Sequence, residues 1–318
     1  MTELNHSQWL NRDFGEAKDF VVRILIFVKL LYYFFQRPLV HLILREKLKS
    51  KLNGDIVFGK IDRFLLDEGG MFKTFVYKIC DKFHSLKNSV ILVPGVGYGR
   101  NLFQLAAFHP KQIVAFDLYE YKNEWDFLSQ KIFKEFGTEV LFLKGDFENV
   151  PKIYEKQVDF IISDAVLEHI RDLVKFMETA RKFLKRKGIF YASFGPIWYG
   201  PGGDHLDWGK DRLFDHLILN EKEYQKNFNE TFDNSFINDS CEGSFLVKKN
   251  LFSRLRAEKY LNILDKAGFK KLLLWTKISS PAINLFKNNQ DLYQILDAKG
   301  VPKFDRFCSG LYLYSRPK

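Results

Sequence analysis

Residues 195–220 hold the side chains of this sequence that are best suited to acid–base chemistry. Imidazole can accept and return a proton near neutral pH, so His205 is the first candidate for a general base and His216 the second. Asp204 or Asp215 would orient the imidazole.

The same segment offers aromatic surface beside these polar groups. Trp198 and Tyr199 could stack on the apolar face of a sugar or cover a bound ligand. A mixture of Gly, Pro, aromatic, Asp and His residues is typical of an active-site wall built on a loop at the carboxyl edge of a sheet. The alternative is an insertion that packs on its own aromatic side chains.

The same loop offers ligands for a metal ion. The oxygen and imidazole ligands are Asp204, His205, Asp207, Asp211, Asp215 and His216. Their spacing matches no metal signature, so the sequence favours a loop without a metal site; a Mg²⁺ ion that acidifies an acceptor hydroxyl is the alternative.

A glycine-rich turn is the second chemical feature. A β-branched run ends at Pro94 and is followed by Gly95, Gly97 and Gly99. Glycine tolerates positive φ and lets a ligand approach bare backbone N–H groups, so the pattern predicts a buried strand that runs into a nucleotide-cradling turn. About twenty residues later, Asp117 ends a second apolar run, where a carboxylate can accept hydrogen bonds from ribose hydroxyls.

The turn distinguishes two classes of cofactor. The dinucleotide fingerprint needs a small residue at the position held here by Arg100, so nicotinamide dinucleotides fit poorly. The run instead resembles motif I of the class I, Rossmann-like S-adenosylmethionine-dependent methyltransferases. The resemblance implies S-adenosyl-L-methionine as cofactor, held by Gly95, Gly97, Gly99, Arg100 and Asp117.

Further segments resemble later motifs of the same family, in the same order along the chain. The resemblance places Asp146 and Phe147 beside the adenine, although both could be ordinary loop structure. Residues 158–170 resemble the fourth-strand motif of small-molecule methyltransferases, which implies that Asp164 and Ala165 line the methionine end of the cofactor. Glu168 and His169 follow in the same motif, and His169 is a candidate for substrate binding or a plain surface residue.

The segment after the fifth strand resembles bacterial methyltransferases that modify sugars or other glycan precursors. We therefore expect transfer of a methyl group to a hydroxyl of a small molecule or glycan precursor, with help from histidine. N-methylation of a small peptide or amine is an alternative, because residues 94–100 also resemble carnosine-type N-methyltransferases. The hypothesis of a nucleic-acid substrate is supported by the positive net charge alone. The remaining alternative is a non-catalytic, membrane-associated protein that binds the cofactor.

These residues need an α/β fold to position them. The class resemblance implies a doubly wound, mostly parallel seven-stranded sheet over residues 85–318, closed by an antiparallel sixth and seventh strand. The expected active-site insertion covers about residues 195–253, with a polar, lid-like loop in residues 221–253. Residues 1–84 would form an N-terminal helical extension.

The extension contains the most apolar segment of the chain, within residues 20–48. Wound as a helix, it presents a wide apolar face, which would pack on the catalytic domain, contact a second subunit or lie on a membrane surface. Net charge is +10 over 318 residues, which suits an anionic partner. Three dispersed cysteines and a polar start without a signal sequence predict a cytoplasmic protein.

Overall fold

The computed structural model describes residues 70–99, 101–231, 246–247 and 249–318. The predictions for Arg100 and for residues 20–48 concern residues outside this part of the chain. Among the helices that are described, none has the length and apolar character needed to cross a membrane.

One seven-stranded sheet organises the structure, with strand order β3-β2-β1-β4-β5-β7-β6. The strands are β1 Val90–Pro94, β2 Gln112–Asp117, β3 Glu139–Lys144, β4 Val158–Asp164, β5 Leu184–Phe194, β6 Phe269–Ile278 and β7 Cys308–Pro317. Strands β1 to β5 pair in parallel, and β7 runs antiparallel to both β5 and β6. The predicted mostly parallel sheet is confirmed.

Helices cover both faces of this sheet. They are α1 Gly70–Phe83, α2 Leu102–Ala106, α3 Lys122–Phe136, α4 Leu173–Phe183, α5 Asp215–Ile218, α6 Glu221–Thr231, α7 Ala257–Lys266, α8 Ser280–Asn288 and α9 Gln290–Ala298. Successive strand residues point to opposite faces, so Ile91 packs in the core with α1 to α3 while Leu92 packs in the core with α4 and α7.

The helix after β4 is shorter than its sequence pattern predicts. Phe176, Ala180 and Leu184 lie at helical spacing, which predicts one helix from the end of β4 to residues 187–188. Instead, a separate 3₁₀ turn covers Leu167–His169 and α4 ends at Phe183. Asp172 starts α4 by accepting a hydrogen bond from the backbone N–H of Lys175 at 3.0 Å. Leu184 then joins β5 and pairs with Val158, because the sheet continues to bury this apolar run.

The polar segment after residue 220 also differs from the prediction of a loop. Its first part is the helix α6, which buries Phe228 against Leu206 and Trp208 of the preceding loop. Phe228, together with the half-buried Tyr224, therefore gives a mostly polar helix its packing face.

Helix α1 lies within the segment assigned to the N-terminal extension, yet it packs into the sheet. Val76, Tyr77, Ile79 and Cys80 are buried in the same core as β1, and the Tyr314 hydroxyl of β7 donates to the Val76 carbonyl oxygen. The division at residue 84 remains a prediction, and α1 is part of the core.

Candidate active site

The glycine turn follows β1 and has the backbone that its sequence predicts. Gly95 and Gly97 have φ values of 62° and 52°, which side-chain-bearing residues rarely adopt. A Cβ atom on Gly95 would come within 2.3 Å of the Val166 side chain, whereas a Cβ on Gly97 would meet nothing within 4 Å. The turn is thus packed on one side and open at Gly97, where a ligand can approach the backbone.

Asp117, the last residue of β2, holds this turn in place. Its Oδ2 accepts a hydrogen bond from Gly97 N at 2.8 Å, and its Oδ1 accepts one from Tyr119 N at 3.0 Å. The indole Nε1 of Trp125 donates to the Gly97 carbonyl oxygen at 2.8 Å. Each carboxylate oxygen keeps a second lone pair for an external donor.

A pocket lies between this turn and the end of β4. Its lining includes Tyr77, Gly95, Asn101 and Asp164. It sits where β1 and β4 are neighbours and the strand order reverses, which is the usual ligand site of open α/β sheets. Burial raises the pKa of Tyr77 well above its usual value, so its phenol stays protonated.

The end of β4 is tied to β5 beside this pocket. Ser193 Oγ donates to Asp164 Oδ1 at 2.5 Å, and Ala165 N donates to the Ser193 carbonyl oxygen at 2.7 Å. Ala165 has a φ of 54°, a sparsely populated conformation for a residue with a side chain. Strain of this kind is concentrated at functional sites.

The structure gives Asp146 and Phe147 well-defined packing and capping contacts. Asp146 caps a 3₁₀ turn by accepting from Glu148 N at 2.8 Å. Phe147 is buried and packs on Phe116 and Phe183, with ring centroids 5.0 Å and 5.7 Å away. Their contacts with adenine remain predictions.

Two histidines from different loops meet at the carboxyl edge of the sheet. His169 Nδ1 lies 2.7 Å from the Leu251 carbonyl oxygen, and His205 Nε2 lies 3.0 Å from the Pro196 carbonyl oxygen. A carbonyl can only accept, so each of these nitrogens carries a proton; in the neutral imidazole the lone pair is then on the other ring nitrogen. Burial lowers the pKa of His205, which favours the neutral imidazole.

Glu168 joins the two histidines. Its side chain is 2% exposed, and its Oε1 accepts from Gly195 N at 2.7 Å. One ligand atom from each of Glu168, His169 and His205 lies within 4.8 Å of the other two. Sequence reasoning placed His169 and His205 in separate motifs and gave Glu168 no committed role.

An aromatic wall borders this cluster. Phe252 is buried, and its ring centroid lies 4.9 Å from that of Trp198, 5.7 Å from that of His205 and 5.9 Å from that of His169. The Arg254 guanidinium lies 4.5 Å from the centroid of the Trp198 ring. Sequence reasoning missed Phe252 because it assigned residues 221–253 to a polar lid; the Leu251-Phe252 pair was the available signal.

Tyr199 lies in a different environment from Trp198. It packs on a cluster that contains Phe214 and Leu285, and the Arg256 guanidinium lies 5.6 Å from its ring centroid. The structure thus separates the two aromatic residues that the sequence grouped together.

Asp204 and His216 form a buried network and do not face a cleft. Both side chains are fully buried. Asp204 Oδ2 accepts from Trp208 Nε1 at 2.6 Å and from the Tyr224 hydroxyl at 2.8 Å, while His216 Nε2 donates to the Trp198 carbonyl oxygen at 2.7 Å. Burial lowers the pKa of His216.

Because both side chains are fully buried, neither offers a surface to an acceptor molecule in this structure, and their hydrogen bonds support the loop. The catalytic roles of Asp204 and His216 stay predictions. Asp215, the other predicted orienting group, bonds instead to Arg212, with 2.6 Å between Asp215 Oδ2 and Arg212 Nε. Among the three predicted catalytic residues, the side chains of Asp204 and His216 are fully buried, whereas His205 is half-buried.

Comparison with known proteins identifies one domain. Residues 92–192, which run from β1 into β5, match the family described as "Methyltransferase domain". No curated protein sequence is significantly similar to this chain.

Solved structures share its general architecture. An S-adenosylmethionine-dependent methyltransferase from Mesorhizobium loti is 16% identical, with a TM-score of 0.43 over 76% of this chain and 96% of its own. Phosphoethanolamine N-methyltransferase 2 of Haemonchus contortus, solved with S-adenosyl-L-methionine, is 15% identical, with a TM-score of 0.45 over 76% of this chain and 52% of its own. At such identities the substrates of these proteins do not transfer to this chain.

Proposed function

Since the chain contains a methyltransferase domain and is an S-adenosylmethionine-dependent methyltransferase, we propose that its acceptor is a hydroxyl group of a small molecule or glycan precursor. The observation that carries this proposal is the tautomer of His205. Its Nε2–H is committed to the Pro196 carbonyl, which leaves Nδ1 as a proton acceptor. Hydroxyls need such a base, whereas an amine that is already neutral does not.

The cofactor site in this proposal is the pocket at the reversal of strand order. Gly95, Gly97 and Gly99 would let the cofactor approach the backbone, and Asp117 would accept hydrogen bonds from its ribose. Asp164 and Ala165 would line the methionine end, and Asp146 and Phe147 would lie near the adenine. The bound cofactor supplies a methyl group on a positively charged sulfonium.

The chain's task is then to align the acceptor and remove its proton. His205 Nδ1 would take the hydroxyl proton as the acceptor oxygen receives the methyl group that the sulfonium supplies. The neutral form of His205, favoured by burial, is the form that can take this proton. Holding the reacting atoms in line supplies the rest of the rate enhancement.

The acceptor would bind against the aromatic wall. Trp198 and Phe252 would offer the flat apolar surface on which a sugar ring stacks, and Phe252 packs on both Trp198 and His205. This placement brings the acceptor to the sheet edge that also holds Asp164, because β4 and β5 are parallel neighbours.

His205→Gln tests the proposal. The Gln amide keeps a donor near the position of Nε2 for the Pro196 carbonyl but removes the basic Nδ1. Turnover of a labelled methyl donor with hydroxyl acceptors should fall by about 10² to 10⁴, while affinity for S-adenosylmethionine stays unchanged. His84→Gln is the control, since His84 lies at the opposite end of the sheet, beside Asp159 near the start of β4.

Wild-type turnover in His205→Gln would refute the role of His205. That result would favour the alternative, N-methylation of a small peptide or amine, for which the resemblance of residues 94–100 is the supporting feature.

A further inference from the structure

We propose that Glu168, His169 and His205 form a binding site for a divalent transition-metal ion of the Zn²⁺ type. These three side chains come from the turn after β4 and the loop after β5, and one ligand atom of each lies within 4.8 Å of the other two. Two imidazoles and one carboxylate are a ligand set that such ions commonly use when they retain an open position.

The orientation of both imidazoles supports a metal site. Metal-bound histidines usually donate their other ring N–H to a carbonyl or carboxylate, which sets the tautomer. His169 makes this bond to Leu251 through Nδ1, and His205 makes it to Pro196 through Nε2. The lone pairs that remain are on His169 Nε2 and His205 Nδ1.

Glu168 has the same kind of support. Its buried carboxylate accepts from Gly195 N, which fixes one oxygen, and its backbone carbonyl accepts from Ser253 N at 2.8 Å. The turn that carries Glu168 and His169 is thereby held to the segment that carries Leu251. Held in this way, the ligands lose little conformational entropy when an ion binds.

The spacing allows a bound ion after a small adjustment. Ligand atoms at about 2.1 Å from a tetrahedral Zn²⁺ ion are roughly 3.4 Å apart. The separations of up to 4.8 Å here would close by modest rotation of the side chains.

A cation would change how the acceptor hydroxyl loses its proton, and this part of the inference rests on the proposed function. Three protein ligands leave a position for the hydroxyl oxygen, facing Trp198 and Phe252. An oxygen bound to a divalent ion releases its proton to water more readily. In the metal-loaded protein, His205 is then a ligand, and direct proton transfer to its Nδ1 belongs to the metal-free state.

The test measures binding separately from methyl transfer. The full-length protein is stripped with a chelator and titrated with Zn²⁺ by calorimetry, and with Co²⁺, whose visible spectrum reports its ligands. The variants are His169→Asn and His205→Gln, which keep the donors to Leu251 and Pro196, and Glu168→Gln, which keeps an acceptor for Gly195 N. His84→Asn is the matched control, because His84 also lies beside a carboxylate, with 3.3 Å between its Nε2 and Asp159 Oδ1.

We expect one equivalent of metal to bind the wild type and the His84→Asn variant. Each of the three site variants should bind at least about 100-fold more weakly, beyond the loss of 10- to 100-fold typical for residues that only support a ligand. Absence of stoichiometric binding, or equal weakening by His84→Asn, would overturn the site.

The two proposals fail in different ways. If metal binds as expected but no hydroxyl acceptor is methylated, the metal site stands and the proposed function fails. If the stripped protein binds no metal and still methylates a hydroxyl at full rate, the metal site fails and the proposed function stands.

Discussion

The imidazole of His205 meets the imidazole of His169 with ring centroids 4.9 Å apart and planes inclined by 60°. The two residues follow different strands, β4 and β5, which are parallel neighbours whose carboxyl ends lie at one edge of the sheet. The same edge carries Asp164 and the pocket beside the glycine turn. Cofactor and acceptor chemistry can therefore take place along one edge.

Gly97→Ala should weaken binding of S-adenosylmethionine at least about tenfold, which corresponds to about 1.4 kcal/mol. The added methyl group would project into the open space at the turn, where a Cβ meets no protein atom within 4 Å. Calorimetry with the methyl donor and its demethylated product measures the effect.

Gly137→Ala is the control for backbone strain. Gly137 ends α3 with a φ of 69° and also has open space around a Cβ. Both variants should lose stability, because alanine resists positive φ. If the two variants bind the cofactor equally well, Gly97 does not lie at the site.

Asp117→Ala should reduce affinity for S-adenosylmethionine by about 10- to 100-fold, since a hydrogen bond to a charged group contributes roughly 1.5 to 3 kcal/mol. The variant also removes the acceptor for Gly97 N, so Asp117→Asn, which retains an oxygen for that bond, should lose less. The measurement is again calorimetric.

Asp172→Ala is the control for Asp117→Ala. Like Asp117, Asp172 has a carboxylate that accepts a hydrogen bond from a backbone N–H, but it caps α4. It should lower stability and leave cofactor affinity intact. Unchanged affinity in Asp117→Ala would remove Asp117 from the ribose site.

Asp204→Ala should destabilise the protein by about 2 to 5 kcal/mol, because it removes the acceptor of two buried donors, Trp208 Nε1 and the Tyr224 hydroxyl. Denaturant unfolding measures this loss. The exposed neighbour Asp207 accepts from Gly209 N, and Asp207→Ala should change stability by no more than about 0.5 kcal/mol. An Asp204→Ala protein with wild-type stability and no turnover would instead support the catalytic role that the sequence predicted.

Asp305 should make stability depend on pH. Burial raises the pKa of its carboxyl to about 6, from an ordinary value of about 3.9. Between these values the folded protein holds more protons than the unfolded chain, so the free energy of unfolding should fall as pH rises from about 4 to about 6. The contribution of this group is about 2 to 3 kcal/mol.

Asp305→Asn isolates this effect, since the amide oxygen can still accept from Ala257 N as Asp305 Oδ1 does at 3.3 Å. The free energy of unfolding of the wild type minus that of the variant, measured by denaturant unfolding at each pH, should fall by that amount as pH rises across the window and stay constant above it. A flat difference would contradict the raised pKa.

Local sequence patterns were enough to predict the sheet and the glycine turn. A β-branched run that ends in glycines specifies its own strand and turn, since strand burial and positive φ are properties of neighbouring residues. The position of Asp117 at the end of β2 was predicted for the same reason, because an apolar run that ends in a polar residue marks the end of a buried strand. The end of α4 was predicted too far along the chain, because an apolar residue such as Leu184 fits a buried position in a helix as well as in a strand.

The acceptor side of the site was decided by tertiary packing. Asp204 and His216 have the composition of a catalytic pair, and only the fold shows that Trp208 and Tyr224 bury the carboxylate. Glu168 and Phe252 carry no local signal that connects them to His205.

The physical reason is that periodicity and spacing report how one segment is buried, whereas the meeting of two loops depends on strand order and register. The sequence by itself determined the class of sheet, the cofactor turn and the presence of histidines after β4 and β5. Only the tertiary structure decided that His169 and His205 face each other across Glu168, because β4 and β5 are adjacent and residues 249–254 fold back over the turn between β4 and α4.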